Sequence, residues 1–366
     1  MSKARTICAK NYCAIQTFTN KSPPTLPKRF VNSMLYVFAR VLPTWSRVIQ
    51  NLRCAMERVA CDLCESTEAR LVYRVRDTNY GTSGEFNIVQ CNVCQLVYLN
   101  PRPESSRYLE IYPEATYDPF RALEHKARSN VTQCTRARRL TQMIGTGRVL
   151  DVGCGTGLFL QAMRAEGWGC VGVEPSPRAS EFARTHLQLD VRQGTIFDVD
   201  VAQAFDLITF WDVLEHTPSP RAVLLRAHRL LISRGYLAIS LPNWDSIERR
   251  IFGAEWIAFD APRHFYHFAP ATMRRQLALC GFQIQLLGAR APVMSLASNL
   301  LRWGGRWLVR RGKPKPATAL NDPTRRAPSL VRRWLIRLTY FAMTPLNALI
   351  NLFGRGADLL VIARKI

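Results

Sequence analysis

Short apolar segments alternate with amphipathic ones through the middle of the chain. The apolar segments have the length of buried strands, and the segments between them have helical spacing, as at Leu158–Glu166. Strands that alternate with helices predict an α/β fold with a doubly wound sheet. The expected strands are Arg148–Val152, Gly169–Glu174, Val191–Gly194, Phe205–Trp211 and Gly235–Pro242, and a closing antiparallel pair is expected at Phe282–Leu287 and Ala357–Ala363.

Composition shows a nearly neutral body with two basic appendages. The 366 residues are 48% hydrophobic, which excludes global disorder. The net charge of +23 is concentrated in residues 1–60, with +9, and residues 298–345, with +10, whereas the rest carries +4. Such appendages are typical of contact with an anionic surface, either a membrane or a nucleic acid.

The sequence also bears on the compartment. No stretch has the roughly 20 consecutive apolar residues of a transmembrane helix, and the basic N-terminus is not followed by the apolar run of a signal peptide. The cysteine count of 11 is odd. These features predict a reducing, cytoplasmic location, with peripheral association at the inner face of the membrane as an extension of that prediction.

Four of the cysteines form two CxxC pairs. Cys61 and Cys64 are separated by 26 residues from Cys91 and Cys94, and the intervening segment has strand-like pieces around a glycine turn. Two such pairs on facing hairpins give a tetrahedral sulfur cage, the geometry of a closed structural zinc site. The pattern predicts a small zinc ribbon; four unligated or redox-active cysteines are the alternative.

A glycine-rich turn follows the first strand of the sheet. Asp151 leads the pattern DxGxGxG, in which the glycines are Gly153, Gly155 and Gly157. Glycines at alternate positions let a backbone approach a ligand at the start of a helix. The dinucleotide pattern GxGxxG is not met, and Glu174 ends the second strand, where a carboxylate can accept hydrogen bonds from a ribose diol.

With these residues the chain resembles the class I S-adenosylmethionine-dependent methyltransferases. It is most similar to a branch that has a CxxC…CxxC module before the catalytic domain and acts on sugars, glycan or lipid intermediates and natural products. The junction at 94–103, the motif Asp212-Val-Leu-Glu215-His216 and the segment Pro262–Phe268 carry that likeness. The resemblance implies a seven-stranded Rossmann-like methyltransferase sheet. Together with the charge pattern, it predicts five parts of the chain: a basic extension at 1–57, the zinc ribbon at 58–103, the methyltransferase domain at 104–297, a basic amphipathic helical insertion at 298–345, and a final helix and strand closing the sheet at 346–366.

The resemblance also implies roles for single residues. Asp151, Gly153, Gly155 and Gly157 would surround the methionine part of S-adenosylmethionine, and Glu174 would bind the ribose hydroxyls. Thr195 stands where many relatives have an acidic residue that contacts the adenine amino group, so Ile196 is the alternative contact. Trp211 and Asp212, after the fourth strand, would line the methyl-donor side.

Transfer to a hydroxyl or an activated carbon needs a base as well as alignment. His216 is the first candidate, with Glu215 beside it, because related sugar C-methyltransferases use this pair in proton removal. His264 would line the acceptor pocket, whereas His267 is expected to be an ordinary buried histidine. Alternatively, Asp212, Glu215 and His216 bind a divalent metal, as a similar cluster does in quinone-ring O-methyltransferases.

The basic insertion contains a helical pattern at Leu330–Met343, in which one face is apolar and arginines lie away from it. Leu300–Arg311 is similar, and Phe30–Leu42 is a weaker version. This pattern predicts interfacial helices that hold the enzyme on an anionic membrane near a glycan- or lipid-linked acceptor; a helical cap packed on the sheet is the alternative.

Two other functions compete with this one. A nucleic-acid methyltransferase is disfavoured because the ribbon, residues 61–103, has four basic and five acidic residues and would repel phosphates. A scaffold that binds the cofactor without catalysis is disfavoured by the intact glycine turn and the Glu215-His216 pair.

Overall fold

The computed structural model describes residues 56–80, 82–104, 126–200, 202, 204–291, 296, 299–300 and 344–366. The chain divides into two units, Met1–Met56 and Glu57–Ile366, and all described residues except Met56 belong to the second. The strands are β1 (Met56–Glu57), β2 (Ala69–Val75), β3 (Phe86–Cys91), β4 (Val97–Leu99), β5 (Arg102–Pro103), β6 (Arg148–Val152), β7 (Gly169–Glu174), β8 (Asp190–Gln193), β9 (Phe205–Trp211), β10 (Leu231–Pro242), β11 (Tyr266–His267), β12 (Phe282–Arg290) and β13 (Asp358–Lys365).

The helices lie between these strands. They are α1 (Lys126–Ile144), α2 (Leu158–Ala165), α3 (Pro177–Leu187), α4 (Pro220–Leu230), α5 (Ile247–Phe252) and α6 (Pro270–Leu279). Short 3₁₀ turns occupy Ile196–Asp198, Leu214–His216, Gly253–Glu255 and Ile257–Phe259, and residues 344–352 are also helical.

Seven strands form one sheet in the order β12-β13-β10-β9-β6-β7-β8. Strands β10, β9, β6, β7 and β8 are parallel, and β13 runs antiparallel between β10 and β12. The prediction of a doubly wound α/β sheet is therefore confirmed, including the closing antiparallel pair. Strands β6 and β9 are neighbours at the centre of the sheet and run parallel. Their carboxyl ends, and the turns that follow them, therefore lie side by side at the same edge of the sheet.

Helices α3 and α4 each begin at a serine followed by a proline. Ser176 precedes α3 and Ser219 precedes α4; each serine hydroxyl accepts from a backbone N–H three residues on, at 3.4 and 3.2 Å. Proline occupies the first helical position in both, where a missing N–H has no cost. The inner faces of these helices are apolar and buried, which fixes them against the sheet.

The cysteine module has a second sheet, in the order β11-β4-β3-β2. The predicted hairpin is present as β2 and β3, which pair antiparallel from Ala69 with Cys91 to Val75 with Phe86. Strand β11 comes from a much later part of the chain and pairs with β4 through Tyr266 with Tyr98 and His267 with Val97. The module is thus joined through its own sheet to the segment that follows the Ile257–Phe259 turn.

Candidate active site

The glycine-rich turn at the end of β6 has a backbone that other residues rarely adopt. Gly153, Gly155 and Gly157 have φ of +68°, +54° and +82°. A Cβ atom on Gly153 would lie 2.6 Å from Cγ2 of Val213, and one on Gly157 would lie 2.6 Å from Cδ1 of Leu189. A Cβ on Gly155 would meet nothing within 4 Å. The middle glycine therefore borders open space, where a ligand can approach the backbone.

Two buried carboxyl groups stand beside this turn, at the ends of β6 and β7. One oxygen of Glu174 accepts from the backbone N–H of Gly155 and the other from that of Ser176, each at 2.9 Å. Asp151 accepts from the hydroxyl of Thr209 at 2.6 Å. These bonds fix both carboxyl groups, and each Glu174 oxygen keeps a lone pair for a further donor.

Burial dominates the electrostatics of both groups. It raises the pKa of Asp151 to about 7, against the lowering effects of Thr209 and Arg136. Burial also raises the pKa of Glu174, although the two backbone N–H donors oppose it. A ligand that brings positive charge and hydroxyl donors would satisfy both groups, and S-adenosylmethionine has both.

Thr195 is occupied by a local cap. Its N–H and its hydroxyl both donate to Oδ2 of Asp198, at 2.7 and 2.9 Å, and Thr195 begins the 3₁₀ turn Ile196–Asp198. Ile196 is buried and Thr195 is exposed. An acidic side chain, Asp198, does lie beside the position expected for an adenine contact, but it already accepts both hydrogen bonds from Thr195.

The end of β9 presents Trp211 and Asp212. The guanidinium of Arg136, on α1, lies 3.9 Å from the centre of a Trp211 ring, and Phe159 meets the same side chain edge-on at 5.2 Å. Asp212 is exposed, has φ of +57°, and donates its N–H to the carbonyl of Ser240 at 2.8 Å. Trp211 and Asp212 therefore lie at the sheet edge where the methyl-donor side was expected.

Glu215, His216 and His264 come together just beyond Asp212. One ligand atom from each of the three lies within 4.8 Å of the others. The rings of His216 and His264 meet edge-on with centroids 4.4 Å apart. Glu215 is 1% exposed, and neither of its carboxyl oxygens has a hydrogen-bond partner among the described residues. A buried carboxyl group without a partner is costly and marks a place where a ligand, proton or ion acts.

His216 and His264 each contact a backbone carbonyl through the ring nitrogen Nδ1. Nδ1 of His216 lies 3.1 Å from the carbonyl of Arg263, and Nδ1 of His264 lies 2.8 Å from that of Ala258. Because a carbonyl only accepts, each Nδ1 carries the proton and each Nε2 presents a lone pair. Burial, and secondarily His264, lower the pKa of His216 to about 3, so its ring is neutral near pH 7. Burial raises the pKa of Glu215 well above its usual value.

This donor set fits a divalent cation as well as a proton-transfer role. One carboxylate and two neutral imidazoles, each imidazole held by a carbonyl at its other nitrogen, make up a common metal-binding arrangement. The sequence hypothesis grouped Asp212 with Glu215 and His216. Within the described residues His264 takes the third position instead, because the segment after the Ile257–Phe259 turn folds back over the end of β9.

The four cysteines form a compact cluster. Sγ of Cys61 lies 3.3 Å from that of Cys94, Sγ of Cys64 lies 3.5 Å from that of Cys91, and the four sulfurs all lie within 4.8 Å of one another. A tetrahedral zinc with bonds of about 2.3 Å spaces its sulfurs by about 3.8 Å. Burial raises the pKa of the Cys61 thiol and the thiol of Cys94 raises it further, so the thiolates need a cation to coexist. The residues fit a structural zinc ion.

His267, which like His264 follows the Ile257–Phe259 turn, has a different environment. His267 is buried in β11, and its ring lies 5.3 to 6.2 Å from those of Phe259, Trp244 and Trp256. Burial lowers its pKa to about 3. It is a neutral member of an aromatic cluster, but neither of its ring nitrogens has a hydrogen-bond partner among the described residues, so it is not the ordinary hydrogen-bonded histidine that the sequence predicted.

Sequence reasoning missed Arg136 and Asp358. Asp358 begins β13 opposite Pro242, and burial together with Asp212 raises its pKa to about 8. Its signal was available, because an antiparallel closing strand begins at the edge where its parallel neighbours end. Arg136 had no comparable signal, since one arginine on a basic helix is indistinguishable from its neighbours in sequence.

The basic segments predicted to face a membrane, Phe30–Leu42 and most of 298–345, lie outside the described residues, as does the extension at 1–55. Within the part of the chain that is described, none of the helices combines the length and apolar character needed to cross a bilayer. Membrane contact through these segments stays a prediction.

Comparison with known proteins supports the fold. Residues 120–287 match a family model described as a methyltransferase domain. A ubiquinone biosynthesis O-methyltransferase of Xanthomonas oryzae pv. oryzae is 34% identical over 140 residues, which are 36% of this chain and 59% of that protein. The enzyme of the same name from Azorhizobium caulinodans is 30% identical over 163 residues, which are 41% and 64% of the two chains. The chain thus spans about three fifths of the length of the curated relatives it matches.

Among solved structures, a SAM-dependent methyltransferase from Archaeoglobus fulgidus is similar, with a TM-score of 0.43 and 22% identity over 68% of this chain and all of that one. The strand order and the family match define the class: the domain has the Rossmann-like fold of class I S-adenosylmethionine-dependent methyltransferases. The predicted methyltransferase fold is therefore confirmed.

Proposed function

We propose that this protein transfers the methyl group of S-adenosylmethionine to a hydroxyl oxygen of a small-molecule, glycan- or lipid-linked acceptor. The observation that carries the proposal is the buried, unpartnered carboxyl group of Glu215 beside His216 and His264, at the end of β9. An acceptor hydroxyl must lose a proton, and this cluster is the place in the described site that can receive it.

On this proposal, the residues after β6 and β7 bind the cofactor and the residues after β9 act on the acceptor. The glycine turn and Glu174 bind the cofactor, the carboxylate accepting from its ribose hydroxyls. The acceptor oxygen attacks the methyl carbon as the carbon–sulfur bond breaks, and the electron pair of that bond stays on sulfur, which becomes a neutral thioether. The acceptor proton passes to Nε2 of His216 or to Glu215. Trp211, held under Arg136, excludes water from the methyl-donor side.

The cofactor half of the proposal is tested by calorimetry. S-adenosylmethionine and S-adenosylhomocysteine should both bind the full chain, and Glu174→Ala should weaken both at least tenfold, because two ribose hydroxyls lose their acceptor. Glu181→Ala, an exposed acidic position on α3, is the matched control. Absence of binding by the unaltered chain would overturn the proposal.

The acceptor half is tested by mass spectrometry of glycans and lipid intermediates from cells with and without the protein. A species lighter by one methylene group in the deficient cells, restored by the unaltered chain but not by Glu215→Gln, is the expected result. Identical profiles across glycan, lipid and quinone fractions would refute an acceptor in those classes.

A second candidate is O-methylation of a quinone-type phenol with a divalent cation held by Glu215, His216 and His264. It is favoured by the unpartnered carboxyl group of Glu215 and by the curated relatives, which are named ubiquinone biosynthesis O-methyltransferases. A bound cation would supply charge that stabilises a deprotonated phenol. Under this candidate the purified chain contains two metal ions, and Glu215→Gln removes one; the first candidate predicts one ion, a structural zinc on the four cysteines, in both proteins.

Membrane contact through residues 298–345 is kept as part of the proposal because of their net charge of +10. Flotation with anionic and neutral liposomes should show binding to the anionic ones alone, and a chain lacking 298–345 should lose it. Equal partitioning of the two chains would refute this contact.

A further inference from the structure

We propose that the cysteine module is a positioning element for the acceptor side of the site, acting chiefly through Asp62 on the Glu215-His216 turn. The inference rests on the proposed function for its catalytic consequence, but its structural content is independent of it. It is supported by three sets of contacts between the cysteine module and the residues before and after the Glu215-His216 turn.

The first connection starts at the Cys61-Cys64 loop. Asp62 lies between these cysteines, and its two oxygens accept from the hydroxyl of Ser219 at 2.6 Å and from the N–H of Arg221 at 2.8 Å. Ser219 is the N-cap of α4 and comes three residues after His216. One carboxylate of the module therefore fixes the point where the catalytic turn enters a helix.

The second connection starts at the Cys91-Cys94 loop, from which β4 continues directly. The N–H of Leu99, in β4, donates to the carbonyl of Phe265 at 2.8 Å, and the N–H of Phe265 donates to the carbonyl of Glu215 at the same distance. A continuous backbone path thus runs from the second cysteine pair to the unpartnered carboxyl residue. Beside it, Arg102 donates to the carbonyl of Pro218 at 2.7 Å.

The third connection is ionic and fully buried. Asp77, which follows β2, accepts two hydrogen bonds from the guanidinium of Arg263, at 2.8 and 2.9 Å, and both side chains are at most 1% exposed. The carbonyl of Arg263 is the group that accepts from Nδ1 of His216. The module therefore also determines which nitrogen of His216 faces the reaction.

The cofactor side has its own supports. The oxygens of Glu174 are bound by Gly155 and Ser176, and Asp151 is bound by Thr209. All of these residues belong to the Rossmann-like sheet and its turns. A change in the module is thus expected to alter the acceptor-side histidines while cofactor affinity stays the same.

The test uses the full chain labelled with ¹⁵N-histidine, so that ring-nitrogen signals are observed without an acceptor. Asp62→Ala should shift the signals of His216 and His264, leave those of His186 and His228 in place, and keep the affinity for S-adenosylmethionine within twofold. Glu68→Ala, an exposed acidic position of the same module, is the control and should shift none of them. Zinc content is measured for each protein.

Asp62→Asn decides the matter if the alanine variant loses zinc or does not fold. It keeps an oxygen for Ser219 and should give smaller shifts of the same two signals. Unchanged His216 and His264 signals in a folded, zinc-loaded variant would overturn the inference, as would equal shifts in Glu68→Ala. If neither the unaltered chain nor any variant binds the cofactor, the proposed function is contradicted. The histidine ring signals would still decide whether Asp62 positions His216 and His264.

Discussion

The raised pKa of Asp151 predicts that the proposed binding of S-adenosylmethionine depends on pH. Burial raises this pKa to about 7 in the free protein, whereas an aspartate in the unfolded chain titrates near 3.8. A group whose folded pKa is raised stabilises the folded chain at low pH and loses that contribution as pH rises toward the folded value. Across about three pKa units, the loss is about 4 kcal/mol between pH 4 and pH 7.

S-adenosylmethionine, bound as proposed, should reverse this balance, because its ammonium and sulfonium groups would favour the ionised carboxylate. A unit charge at about 4 Å, with an effective dielectric constant of about 20, contributes about 4 kcal/mol, enough to return the pKa of Asp151 to near 4. Only the ionised fraction then binds well. That fraction is about 9% at pH 6 and about 50% at pH 7, so binding should be about fivefold tighter at pH 7.

Calorimetry at the two pH values, in buffers of different ionisation enthalpy, measures both affinity and proton release. About half a proton should leave per cofactor bound at pH 7. Asp151→Asn keeps an oxygen for the Thr209 hydroxyl and should bind with the same affinity at pH 6 and pH 7. Equal affinities in the unaltered chain, or an unchanged pH dependence in the asparagine variant, would refute this account.

Three further substitutions have calculable effects. Gly153→Ala places a Cβ 2.6 Å from Val213 at a φ of +68°, so it should lower the unfolding free energy by about 1–3 kcal/mol and weaken cofactor binding at least tenfold by calorimetry. Cys91→Ser should release the zinc and cost about 4 kcal/mol or more in denaturant unfolding; retained zinc would contradict the ligand assignment. Arg263→Lys loses the two-pronged contact with Asp77 and should cost about 3 kcal/mol in the same measurement, whereas Arg250→Lys on the surface should cost none.

The sheet was predictable because its signals are local. Strands β6, β7 and β9 are short and largely apolar, and the glycine turn and Glu174 mark the ends of two of them. The cysteine hairpin was predictable for the same reason, since the spacing of Cys61, Cys64, Cys91 and Cys94 restricts the geometry. Most boundaries moved by a residue or two, as where β13 begins at Asp358 and ends at Lys365, but β10 begins four residues before the predicted Gly235 and β12 ends three residues after the predicted Leu287.

The arrangement around Glu215 was less predictable because its contacts join distant parts of the chain. Strand β11 has only two residues and no alternation that would mark it, yet it extends the sheet of the cysteine module. The bond between Asp62 and Ser219 spans 157 residues. Such contacts follow from tertiary packing, so the sequence could propose Glu215, His216 and His264 as candidates but not their common position.

The site has two halves, the glycine turn after β6 and the turn after β9. The arrangement of the first could be predicted from the sequence and that of the second could not, because different parts of the chain hold them in place. Strand β6, the neighbour of β9, leads into the glycine turn, which is proposed to bind the cofactor and whose parts are close in sequence and depend on glycine conformations. The turn that leaves β9 is held instead by the cysteine module and by Phe265. Because those supports are separate, changes in the module or in the 256–268 segment can alter acceptor choice without disturbing cofactor binding. Exchange of that segment between relatives should therefore change the acceptor preference and preserve the affinity for S-adenosylmethionine; a parallel loss of both would show that the two halves are coupled.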